Sequence, residues 1–134
     1  MHRKDLLGGN VKTAYFPAFG TTDISKQVPV FLAEFACKIV KVSLVPQAAV
    51  TGIDTNTRHL NLINKGAAGS GTTELTSYDL TNGNDLSAMD EYVIYNPAAP
   101  LDLPANTVLA LEGEKIGTGL ATPEMLVQVE FLGS

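Results

Sequence analysis

Two histidines, one cysteine and a few acidic pairs are the residues of this chain whose types could do chemistry. His2 and His59 are too few and too far apart to form a metal site, because zinc needs three or four converging nitrogen or sulfur ligands. His59 follows Arg58 and lies near Asp54, which reads as a surface ion-pair cluster at a loop end. Asp54-Thr-Asn56 opens like a calcium loop, but Leu60, Leu62 and Ile63 stand where further oxygen ligands are needed. Asp90-Glu91 and Glu112-Gly-Glu114 are carboxylate pairs of the kind glycoside hydrolysis uses, but nothing in the sequence sets them across a cleft, and solvated loop charge is the simpler reading. Cys37 has only Lys38 as a nearby cation, so packing as a small hydrophobe is its expected role. The run Lys65-Gly-Ala-Ala-Gly-Ser-Gly-Thr-Thr73 lacks the Gly-Lys-Ser/Thr ending of a phosphate loop, and Gly66, Gly69 and Gly71 do not have dinucleotide-binding spacing. Ser70 is not in a nucleophile elbow. The residues therefore point away from an enzyme, and no cofactor or metal is expected.

Composition narrows the remaining classes. A chain of 134 residues has room for one domain with one core. Nine Lys and Arg against fourteen Asp and Glu give a net charge of −5, which opposes nucleic-acid binding. Charged residues make up only 17%, against the roughly 25% of an average soluble protein, so the surface carries dilute charge. A single cysteine excludes an internal disulfide framework. The basic start, Met1-His-Arg-Lys4, is not followed by the apolar run of a secretory signal, and no stretch approaches membrane-helix length. The expectation is a soluble protein made in the cytoplasm that contacts neither nucleic acid nor membrane.

The elements that would position these residues are short strands. Residues 1–27 read as an extended N-terminal arm, because Gly8-Gly9, Pro17 and Gly20 with Pro29 leave little room for a helix or long strand. Within it Tyr15, Phe16 and Phe19 are too apolar for a free tail and pack either on this chain's own body or on a neighbouring chain. From residue 28 onward, β-branched segments alternate with turns. Strands are expected over 38–45, 59–63, 72–80, 92–95, 107–111 and 125–131, with 30–36 open between strand and helical turn. Residues 85–91 read as a short capped helix. Segment 125–131 is the cleanest amphipathic strand, with Met125, Val127, Val129 and Phe131 on one face and Gln128 and Glu130 on the other. The fold class is all-β: a single-domain β-sandwich or barrel body, 28–134, carrying the arm.

One resemblance is legible. Val50-Thr-Gly-Ile-Asp-Thr-Asn-Thr-Arg58, Leu60-Asn-Leu-Ile-Asn-Lys-Gly66 with 69–73, then Leu109, Gly117-Thr-Gly-Leu-Ala121, Pro123 and Leu126-Val-Gln-Val129 resemble the small decoration, or cement, proteins of tailed-bacteriophage heads. Related sequences often carry Gly-Asp before the strand that begins here at Thr107, where this chain has Pro104-Ala-Asn106. The resemblance covers about residues 28–131 and leaves the arm outside. It implies a non-enzymatic virion protein, a homo-oligomer and commonly a homotrimer, bound to the major capsid protein on the outer capsid surface and reinforcing the head. The candidate capsid or subunit contacts are the basic tip His2, Arg3 and Lys4, the rings Tyr15, Phe16 and Phe19, and the loop residues Asn64, Lys65, Gly66, Gly69 and Gly71. The alternative is a β-sandwich ligand- or carbohydrate-binding module of a phage tail, baseplate or head fibre. Such modules offer exposed aromatic platforms, and this chain has no Trp.

Overall fold

The computed structural model describes residues 10–133, and these form nine strands and no helix. The strands are β1 (Asn10–Phe16), β2 (Lys26–Leu32), β3 (Cys37–Pro46), β4 (Thr57–Gly66), β5 (Thr73–Asp79), β6 (Tyr92–Tyr95), β7 (Leu101–Leu103), β8 (Val108–Ile116) and β9 (Met125–Gly133). They make two antiparallel sheets. In the first, β1, β9 and β3 lie side by side, and β6 and β7 pair one after the other along the far edge of β3. The second runs β2-β8-β4-β5. Among the described residues no strand pairing joins the sheets, so the chain is a sandwich and not a barrel.

Strict alternation makes β9 the centre of the first sheet. Met125, Val127, Val129 and Phe131 are buried while Leu126, Gln128, Glu130 and Leu132 are half-buried on the opposite face. Ile39, Val42 and Leu44 of β3 join them, and Leu60, Leu62, Leu109 and Leu111 of the second sheet close over the same core. Burying an aliphatic side chain of this size contributes roughly 1.5–3 kcal/mol, so this apolar layer sets the fold. Pro29 lacks a backbone N–H and sits where the β2–β8 register shifts between Pro29 and Phe31, which blunts that edge.

The first 27 residues are not a separate arm in the part described. Residues 10–16 form β1, seven pairs deep against β9, and β2 begins at Lys26. Of the two placements open to the rings, Phe16 and Phe19 take the chain's own core, with ring centroids 5.3 Å apart. The seven residues of β1 fit between Gly9 and Pro17, so the spacing of those breakers is enough for one strand.

The helix expected over 85–91 is absent. Asp85 Oδ1 accepts the Gly52 N–H at 2.8 Å, Leu86 exchanges backbone hydrogen bonds with Val50, and Met89 turns back with its N–H on the Pro46 carbonyl at 2.8 Å. Asp85 thus caps a loop backbone, and an isolated bridge between Val50 and Leu86 replaces the first helical turn. The 30–36 ambiguity resolves as strand through Leu32 followed by a bend. In the turn 104–107, Asn106 adopts φ of 71°, the conformation for which glycine is otherwise used. Thr107 Oγ1 donates to the Pro104 carbonyl at 2.8 Å and holds that turn.

Candidate interaction surface

The two outer faces of the sandwich differ in chemistry. On the second sheet, His59, Asn61 and Ile63 of β4 face outward between β8 and β5. His59 Nδ1 lies 3.3 Å from Asp79 Oδ1 and 3.6 Å from Glu114 Oε1. Asn61 Nδ2 donates to Glu112 Oε1 at 2.9 Å and to Glu114 Oε1 at 3.0 Å, while Ser77 Oγ donates to Asn61 Oδ1 at 2.6 Å. Glu112 and Glu114, read from sequence as loop charges, are strand residues in this polar network. It forms because alternation on three adjacent strands puts side chains from distant parts of the chain in one row. Among the described residues no three His, Cys, Asp or Glu side chains are grouped so as to hold a metal ion.

The outer face of the first sheet is apolar around Tyr15 and carries charge farther along, where a row of Asp102, Lys38 and Leu132 holds a Lys38–Asp102 ion pair of 3.7 Å. Register places Tyr15, Leu126 and Val45 in one row across β1, β9 and β3. The next row is Thr13, Gln128, buried Ser43 and Val93, and the third is Val11, Glu130 and Lys41. Val11, Tyr15 and Val93 are 55%, 71% and 47% exposed. Lys41 Nζ lies 3.7 Å from Glu91, an exposed pair of the kind that contributes at most about 1 kcal/mol.

A recess of about 270 Å³ closes one end of this face, with Tyr15, Val45, Pro46, Met89 and Leu126 among its walls. Met89 is 70% exposed and holds φ of 64°. A left-handed methionine costs roughly 1–2 kcal/mol, and here the turn holds an unbranched apolar side chain out into water beside Tyr15. Met is well suited to an irregular partner surface, because three rotatable bonds and a polarizable sulfur let it adapt.

The sequence candidates separate on the structure. Tyr15 lies on this face, whereas Phe16 and Phe19 are core residues and leave the contact set. Asn64, Lys65, Gly66, Gly69 and Gly71 belong to the end of β4 and its connection to β5, in the other sheet. There Gly66 and Gly69 take φ of 70° and 79°, and Gly71 packs so closely that a Cβ would sit 2.4 Å from the Asn64 carbonyl oxygen. This is the β connection expected from its glycines. His2, Arg3 and Lys4 lie outside the described residues.

The expected cluster of Arg58, His59 and Asp54 does not form. Asp54 Oδ1 accepts the Asn82 N–H at 2.8 Å, Asn56 Oδ1 accepts the Thr118 N–H at 3.0 Å, and Arg58 is fully buried. Sequence reasoning missed Val11, Met89, Leu126, Val45 and Val93. A signal existed in β1, where the more apolar residues Val11 and Tyr15 alternate with the inward set Lys12 and Ala14.

Three tyrosines are unsuited to a stacking platform. Tyr78, Tyr92 and Tyr95 are half-buried, and Tyr78 packs edge-on against Tyr92 at 6.0 Å. Exposed aromatic rings among the described residues are Tyr15 and Phe35, at opposite ends of the first sheet and roughly 25 Å apart along β3.

No protein-family model matches the chain, and no curated protein matches it. Among solved structures, one of infectious bursal disease virus, Gx strain, is similar at 14% identity and a TM-score of 0.40, over 92% of this chain. This chain spans 32% of that chain's length.

Proposed function

We propose that this chain is a non-enzymatic virion structural protein that binds the outer surface of a phage capsid as an oligomer and stabilises the head. The reading rests on the sequence resemblance to head decoration proteins and on one structural observation, the outer face of the first sheet. The three rows nearest Tyr15 are mostly apolar or uncharged polar side chains and end in the Tyr15–Met89 recess, an adhesive surface with few charges to desolvate. The acidic network on the opposite sheet would then face solvent, where charge keeps decorated particles apart. The major capsid protein is the partner, and homotrimers are the expected oligomer.

Heads assembled without this protein, incubated with the purified chain and sedimented, test the reading. Wild-type chain should pellet with the heads. Tyr15→Asp and Leu126→Lys should each lower occupancy at least tenfold, the cost of placing a charge in a contact that excludes water, with thermal stability close to wild type. Undiminished occupancy in both variants would remove this face from the contact, and no pelleting of the wild-type chain would remove the function.

A further inference from the structure

A buried cation sits at the end of the sandwich nearest the recess, where burial pushes its pKa down and the nearby Asp23 charge opposes that. Arg58, at the start of β4, is 0% exposed. Its Nε donates to the Leu120 carbonyl at 2.9 Å and Nη1 to the Gly113 carbonyl at 3.2 Å. Its Nη2 donates to the Gly20 carbonyl at 3.1 Å and the Asp23 carbonyl at 3.0 Å. The guanidinium also stacks over the Phe19 ring, 4.7 Å from its centroid. Among the described residues no carboxylate lies within 4 Å of it; the Asp23 carboxylate instead accepts the Gly20 N–H at 2.6 Å. Neutral carbonyl dipoles have therefore replaced water around a full charge, which is costly unless nearly every N–H is satisfied.

Those dipoles come from two separate stretches. Gly20 and Asp23 belong to the β1–β2 loop, Leu120 belongs to the β8–β9 loop, and Gly113 lies in β8. The two loops also exchange backbone hydrogen bonds of 2.9 Å between Phe19 and Thr122. Their approach is fixed by glycines. At Gly119, φ is +92° and an added Cβ would lie 2.0 Å from the Thr21 carbonyl oxygen; at Gly113 it would meet the Phe19 ring at 2.8 Å.

We infer that the β1–β2 and β8–β9 loops form one cooperative strap, closed over the sandwich end by Arg58 and opening as a unit. If either loop leaves, the guanidinium loses part of its solvation shell while still buried, so the other loop's carbonyls no longer hold a satisfied cation and the second loop follows. Opening exposes Arg58 and Phe19 together, converting a dry end into one with a free cation beside an aromatic ring. The strap thus stores a basic, aromatic surface that the closed molecule does not show.

Amide hydrogen exchange by NMR on the full chain tests this, with one variant in each loop. Asp23→Ala removes the exposed carboxylate that braces the Gly20 turn and touches nothing in the β8–β9 loop. Gly117→Ala strains the β8–β9 loop, since Gly117 holds φ of +62° and an added Cβ would meet Thr55 and Asn56 and nothing in the β1–β2 loop. Either variant should speed exchange at Phe19, Gly119 and Thr122 by a common factor, about tenfold or more, while Val127 and Val129 of β9 keep wild-type rates. Acceleration confined to the substituted loop would overturn the strap, as would an equal acceleration of the β9 amides, which would make the opening global unfolding.

Discussion

Burial of single side chains sets this protein's response to alkali. Burial pushes the phenols of Tyr78 and Tyr95 above their ordinary 10.0, and at Tyr78 the nearby Tyr92 and Asp85 add to the effect. It likewise pushes the Cys37 thiol above 9.0, against a smaller opposing pull from Lys12. Each is an acid harder to ionise in the folded chain. Below the ordinary values both states are protonated and these groups give no pH dependence. As pH rises past 9 and then 10 the unfolded chain loses protons that the folded one keeps, so stability falls until the folded groups also ionise. Urea unfolding between about pH 8 and 11 should show a midpoint that is level at first and then declines, and Tyr95→Phe should lessen the decline above about pH 10. An identical decline in that variant would remove Tyr95 as a cause. Arg58 shows what residue-level reading misses. It sits among polar and charged neighbours in sequence, yet its partners lie 35 to 62 positions away, so nothing local signals a buried guanidinium.

Among the elements, those with period-two alternation are legible in the amino-acid sequence. Segment 125–131 shows its buried and exposed faces there, and the expected strands 38–45 and 59–63 differ from β3 and β4 chiefly at their ends. β1 is hidden because its pattern is inverted. Lys12 points inward, with its ammonium 5.4 Å from the Phe31 ring and 3.3 Å from the Leu32 carbonyl, while Val11 and Tyr15 point to water. The same inversion that conceals the strand marks the candidate surface. Since β1 is paired along all seven residues and Phe16 is fully buried, its strand is part of the fold. Deleting residues 1–27 would expose the edge of β9 and remove both rings from the core; loss of one buried Phe alone costs about 3–5 kcal/mol. The shortened chain should show no cooperative thermal transition by circular dichroism. A sharp transition near the wild-type temperature would restore the arm as a separate piece.

At the scale of the molecule, dilute charge acquires a location. Composition shows only that charges are few; the sandwich sorts them, with the acids Asp79, Glu112 and Glu114 around His59 and Asn61 on one outer face and the Lys38–Asp102 and Lys41–Glu91 ion pairs beside apolar rows on the other. That polarity is not written in any one segment, because it depends on which strands become neighbours: β8 beside β4 and β9 between β1 and β3 are pairings distant in sequence. On the proposed reading, the Tyr15 end of the first sheet's outer face rests on a capsid. Electron cryo-microscopy of heads saturated with this chain measures it most directly. Density in which Tyr15, Leu126 and Met89 meet the capsid and the Asp79–His59–Glu114 row faces solvent is the expected result. Density with the second sheet or the 64–71 connection against the capsid, and the Tyr15 face open to solvent, would contradict it.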